Sequence, residues 1–265
     1  MSYPLLVLSI ALAFVVAMMA ALLFGRRVGQ RRLADDPKAA VDGLGVIDTA
    51  VFAIFGLLIA FTFSGAGARF DERRMLIVQE ANSVGTAWLR LDLLPAEAQP
   101  ALRDLFRAYL DARIATTALM PDEAAATQAA ERATALQSRI WSAAVASTGM
   151  PGLSPAVPSL LLPAVNEMFD ITVTRRMAAE RHPPLAIWVL FCLLAVVSAF
   201  LAGQGTARSK RASLPHLLGF PAVLSAVVLL DISLEHPRLG LITLTDFDQT
   251  LVDVRAAMDA AQTPG

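Results

Sequence analysis

Four stretches of the chain, residues 4–24, 46–63, 184–201 and 217–234, are apolar over about the length that a helix needs to cross a bilayer. Between the second and third, apolar residues instead recur every three or four positions with charges between them, the mark of amphipathic helices packed in water. The two patterns meet without a break in residues 45–95. From 46 to 63 the only ionisable residue is Asp48, and about 18 residues at about 1.5 Å each nearly match a bilayer core of roughly 30 Å. From Arg69 no Pro or Gly intervenes until Gly85, and Phe70, Leu76, Ile77 and Val84 alternate with Arg73, Arg74, Glu80 and Asn82. The pattern predicts a membrane helix that continues into water. The first apolar stretch is followed, not preceded, by positive charge, which distinguishes a retained membrane helix from a signal peptide.

Three further helices are expected before the third span. Leu102, Leu105, Phe106, Tyr109 and Ile114 place one over 97–119. Pro121-Asp122-Glu123 opens the next, with Pro121 in its first turn, and it runs to about residue 147. The Gly- and Pro-rich stretch 148–158 reads as a loop, and a helix over 159–181 follows with Pro163 in its first turn. After the fourth span, Phe247, Leu251, Val254 and Met258 fall on one face of a helix over 246–261. That helix is expected to lie against the membrane surface or the helical domain. The fold class is therefore an all-α integral membrane protein. It has four transmembrane helices and a helical extramembrane domain between spans two and three, divided as 1–65, 66–182, 183–235 and 236–265.

Composition narrows the picture. Hydrophobic residues make up 56% of the chain and the mean hydropathy is +0.57, too apolar for an ordinary soluble domain. The lipid bilayer is the partner this composition requires. A net charge of −1 gives no general attraction to nucleic acid. Basic residues cluster instead in two short segments, Arg26, Arg27, Arg31, Arg32 and Lys38 in the first and Arg208, Lys210 and Arg211 in the second. Both are read as cytoplasmic loops under the positive-inside rule, which puts both termini and the helical domain outside the cytoplasm.

Candidate chemistry is sparse. At helical spacing Asp48, Phe52, Phe55, Ile59 and Phe63 share a face of span two. In a ring of helices they would form an acidic mouth and an apolar constriction; otherwise they face lipid or neighbouring helices. Thr49, Ala53, Gly56, Ala60 and Ser64 form a small-residue face on which another helix could pack closely. Asp48 and Asp231, near span ends, mark either an ion path or solvated helix ends. Glu80, Asn82, Arg90 and Asp92 form a polar group at the membrane boundary, read either as an ion or ligand site or as partners of Asn166, Glu167 or Asp170 in the returning helix. His182, His216 and His236 have no metal-binding spacing, Cys192 is the lone cysteine, and no phosphate-binding Gly loop or nucleophile elbow is found. No cofactor, metal or enzymatic activity is expected.

The runs GLLIAFTFSGAGARFDERRMLIVQEANSVGTAWLRLDLLP, LLPAVNEMFDITVTRRMA and LLDISLEHPRLGLITLT resemble the bestrophin-like, or DUF4239, family of bacterial membrane proteins. The resemblance spans residue 45 to about residue 254. It implies a four-span protein of the bacterial inner membrane and, through bestrophins, a homo-oligomeric and pentameric ion channel whose second span lines the pore and passes small ions. The resemblance also implies a cytosolic helical domain, opposite to the placement by charge; the charge rule, calibrated on short loops, is the one followed here. The rival reading is a non-conducting membrane sensor or scaffold whose helical domain binds a partner protein.

Overall fold

The structure, a computed structural model, describes residues 3–35, 44–119, 122–207, 214–238 and 242–260. Those residues form eight α-helices and one 3-10 turn, in the order α1 (Tyr3–Asp35), α2 (Leu44–Arg90), the turn Leu91–Leu93, α3 (Gln99–Ala118), α4 (Glu123–Thr148), α5 (Ala156–Glu180), α6 (Leu185–Gly205), α7 (Leu214–Glu235) and α8 (Thr245–Ala260). Four of the helices are long and apolar enough to cross a membrane. The chain divides into two compact units, one of residues 1–68 and 182–242, the other of residues 69–181 and 243–265. Helix α2 contributes its first half to one unit and its second half to the other.

The first unit holds α1, the start of α2, α6 and α7. Its core is built from Met18 and Leu22 of α1, Phe55 of α2, Phe191, Ala195 and Ala199 of α6, and Leu224 and Val228 of α7. Helices α1 and α6 approach backbone to backbone. A Cβ at Gly25 would overlap the carbonyl of Phe200, one at Gly203 the carbonyl of Leu22, and one at Gly29 would lie 2.7 Å from Cβ of Ala207. Lipid tails are as apolar as leucine, so membrane helices associate through close packing of this kind and not through the hydrophobic effect.

The first short loop departs from expectation. Residues 25–35 continue α1, so Arg26, Arg27, Arg31 and Arg32 lie on helix. Gly25 and Gly29 serve the crossing with α6 and make no turn, while Arg and Leu propagate helix well and the basic residues suit its C-terminal end. Lys38, Arg208, Lys210 and Arg211 lie outside the described residues. Pro221 sits within α7, which continues through it. Membrane helices tolerate such prolines because neighbours can satisfy the freed backbone groups.

The second unit packs the later half of α2 with α3, α4, α5 and α8 around Val84, Phe106, Tyr109, Ile140, Leu161 and Met168, all fully buried. Helix α4 is capped by Asp122, whose carboxylate accepts from the N–H of Ala125 at 3.1 Å. The helix starts after Asp122; Pro121, expected in its first turn, lies outside the described residues. Helix α5 starts earlier than expected, at Ala156, because Pro158 fits a first helical turn; Pro163 then falls in the helix interior. Gly152, at φ +80°, takes the turn before it, a conformation that favours glycine.

Helix α8 packs on α3, burying Leu251 and Met258. Arg107 donates to the carbonyl of Met258 at 3.0 Å, and Arg255 pairs with Asp111 at 2.8 Å. The tail helix thus belongs to the helical unit, where the guanidinium of Arg107 also meets the negative end of its dipole.

Candidate functional site

The membrane part of α2 is the least covered of the spans. Only 6% of its most apolar window is buried in the chain, against 22%, 22% and 44% for the other three. Its inner face carries Phe52, Phe55 and Ile59. Phe55 is 3% exposed and meets Phe191 edge to face at 5.5 Å between centroids. Phe52 meets Phe220 in the same way at 6.1 Å, and Ile59 packs on the same cluster. Asp48, half-buried, follows the same face towards the start of the helix. Phe63 departs from the group and is 45% exposed.

On the opposite side of α2, Val46, Ala50, Ala53, Leu57, Ala60 and Ser64 recur at steps of three or four and are all exposed. Thr49 and Gly56, from the small-residue face read in the sequence, are exposed as well, and a Cβ at Gly56 would meet nothing within 4 Å.

The polar group read around Glu80 does not assemble as one cluster. Glu80 is fully buried and accepts from Arg113 Nε at 2.6 Å and Nη2 at 3.1 Å. A second arginine, Arg175 of α5, donates to the same carboxylate and faces Asp248 of α8 at 3.6 Å. Burial opposes the Glu80 charge, but Arg113 and Arg175 outweigh it and hold the carboxyl below its usual range. Burial, with the Glu80 carboxylate nearby, pushes Tyr109 up to about 12. Gln137 bridges Tyr109 Oη and Thr172 Oγ1 at 3.4 Å each. The arrangement is a charge-balanced lock among α2, α3, α5 and α8, with every carboxylate oxygen of Glu80 engaged.

The other polar residues go elsewhere. Asn82 is exposed. Arg90 donates to the carbonyl of Leu160, Asp92 pairs with Arg103, and Asn166 donates to Asp170 one turn along α5 at 2.7 Å. Glu167 is exposed. The returning helix does supply a partner for Glu80, but it is Arg175. Arg113 and Arg175 were legible in principle. Arg113 follows Leu102, Phe106 and Tyr109, and Arg175 follows Leu161, Met168 and Ile171, each continuing an otherwise apolar stripe where an unpaired charge would be costly.

At the end of α7, Asp231 and Glu235 are one turn apart and both buried, so Asp231 is not a solvated helix end. His182 Nδ1 lies 3.3 Å from Glu235 Oε2, and the rings of His182 and His236 are 4.8 Å apart. No group of three metal-ligating side chains occurs among the described residues.

A family model described as Bestrophin-like domain matches residues 11–246. The chain belongs to the bestrophin-like family. Among curated proteins no sequence match is found. Solved structures show the bestrophin-like fold at low sequence identity. A bacterial bestrophin homologue from Klebsiella pneumoniae carrying a leucine-to-threonine mutation is 14% identical, with a TM-score of 0.68 over 93% of this chain and 98% of that one. A variant from the same organism with an isoleucine-to-threonine mutation is 14% identical, with a TM-score of 0.63 over 92% and 99%. A membrane protein with a proline-to-alanine substitution is 13% identical, with a TM-score of 0.68 over 93% and 98%. The bestrophin-like chain therefore has its relatives' fold over nearly its whole length.

Proposed function

We propose that this bestrophin-like chain is one subunit of a homo-oligomeric, pentameric channel for small ions, with α2 lining the pathway. The observation that carries the reading is the uncovered face of α2, since a membrane helix packed by its own chain on one side only has a whole face left for a pathway or a second copy. In this reading Leu57, Ala53, Ala60 and Ser64 face the pathway, and an apolar neck of this kind gates by dewetting. Phe63, uncovered by its own chain, stays with the lining, and Asp48 sets the charge at the mouth. Phe52, Phe55 and Ile59 support the helix from behind. The membership in DUF4239 read from the motifs belongs to the same proposal, as does the bacterial inner membrane as its location.

Recordings from protein reconstituted in planar bilayers test it. Wild type conducts, Leu57→Ala raises the conductance or open time several-fold, and Phe55→Ala lowers thermal stability without widening the neck. Absence of conductance in wild type and in Leu57→Ala, with folded protein in the bilayer, overturns the channel and leaves the sensor or scaffold.

A further inference from the structure

An open groove of about 480 Å³ runs between α1 and α6 in the membrane unit, lined by Ala17, Ala20 and Phe24 on one side and Val196, Val197 and Phe200 on the other. At the end of the groove nearer Arg27, the rings of Phe24 and Phe200 flank it with centroids 5.8 Å apart. Small side chains make the floor, and no lining residue is polar. Ala20, Phe24, Arg27 and Arg31 are spaced four, three and four apart, so the stripe that lines the groove continues directly into two arginines, both exposed. An apolar slot inside the spanning length of two helices, with two exposed arginines on the same stripe beyond it, is complementary to a molecule with a hydrocarbon tail and an anionic head.

We propose that this groove holds an acyl chain of an anionic phospholipid, whose phosphate is bound by Arg27 and Arg31. Guanidinium groups bind phosphate oxygens in a bidentate manner, and arginines beside a membrane attract anionic lipid. A second copy related by a two-fold axis would bring its own Arg27 and Arg31 against these, so like charges disfavour it; a ring neighbour would seat a different face there, and the subunit number measured below separates that case.

The test uses the full chain reconstituted in vesicles of phosphatidylcholine and phosphatidylglycerol, then extracted in mild detergent, with the lipid retained per chain counted by mass spectrometry. Phosphatidylglycerol is retained above its share in the vesicle, and glycerol phosphate, the head without tails, does not displace it. Arg27→Gln and Arg31→Gln each weaken retention about fivefold, while Arg132→Gln, an equal charge change in the helical unit, leaves it unchanged. Ala20→Phe fills the slot and abolishes retention with both arginines intact; Ala17→Leu fills it a second way should the larger side chain impair folding. Retention at the bulk share, displacement by glycerol phosphate, or undiminished retention in a folded slot-filling variant would overturn the proposal. A change of subunit number in that variant, with lipid retained, would instead make the groove a contact between copies.

Discussion

Glu80 shows how one buried charge can organise an otherwise apolar core. Its carboxylate is satisfied by two arginines from different helices, and Asp248 offsets the second of them. Replacing it by Gln leaves the largely covered Arg113 and Arg175 with a single nearby acid, so Glu80→Gln is expected to lower stability by about 3 kcal/mol, read from thermal or denaturant unfolding. The pH dependence has a definite sign. The folded Glu80 carboxyl is depressed below 4.5. Its contribution is therefore fully present above the unfolded value and disappears as the pH falls through the folded one. Wild type should lose melting temperature on acidification below about 4.5, and Glu80→Gln should lose less over the same range. At the alkaline end Tyr109 behaves as an acid raised to about 12. Stability falls between the unfolded value near 10 and 12, because the unfolded chain releases that proton first. An absorbance titration should show a late tyrosinate component that is absent from Tyr109→Phe.

At the scale of elements, glycine has two meanings in the membrane unit. Gly25 and Gly203 allow the α1 and α6 backbones to touch, whereas Gly56 faces open space. Gly203→Ala should cost about 2 kcal/mol or more through forced separation of the helices, while Gly56→Ala should leave the melting temperature of the solubilised chain unchanged or slightly raised; equal losses would sink the distinction. Hydropathy could not separate these positions, since both lie in apolar helix. The elements themselves were legible because each span is long and unbroken and each extramembrane helix carries its stripe. What escaped was decided by tertiary contacts. The basic stretch after Phe24 reads as a loop until Gly25 and Gly29 are seen against α6. The start of α5 was masked by Pro155 and Pro158, which stand at its cap and in its first turn. The aromatic face of α2 was visible, but its direction, with Phe55 turned onto Phe191, depends on residues more than a hundred positions away. The partners of Glu80 could have been sought among charges interrupting apolar stripes; the choice of Arg175 over Asn166 follows only from the packing of α5 on α2.

For the whole molecule, the side of the membrane that holds the helical unit has the largest consequence. Charge supplies the premise. Arg26, Arg27, Arg31 and Arg32 lie on the last turns of α1, close to the membrane end of the helix, where positive residues bias a short connection to the cytoplasm. From that premise we infer that both termini and residues 69–181 lie outside the cytoplasm, opposite to what the bestrophin resemblance implies. Thr127 is exposed on α4, so a cysteine there reports sidedness without disturbing the fold. With Cys192→Ala to remove the native thiol, Thr127→Cys should react with a membrane-impermeant maleimide in intact spheroplasts as fully as in lysed ones. Labelling only after lysis would reverse the placement and leave the four arginines of α1 on the outer surface. The two outcomes assign different work to the same residues. In the channel proposed above, the charge-rule topology would stand Asp48 at the cytoplasmic entrance of α2, where it would meet ions leaving the cell first. With the reverse topology of that proposed channel it would stand at the external entrance, and the same carboxylate would meet ions on their way in.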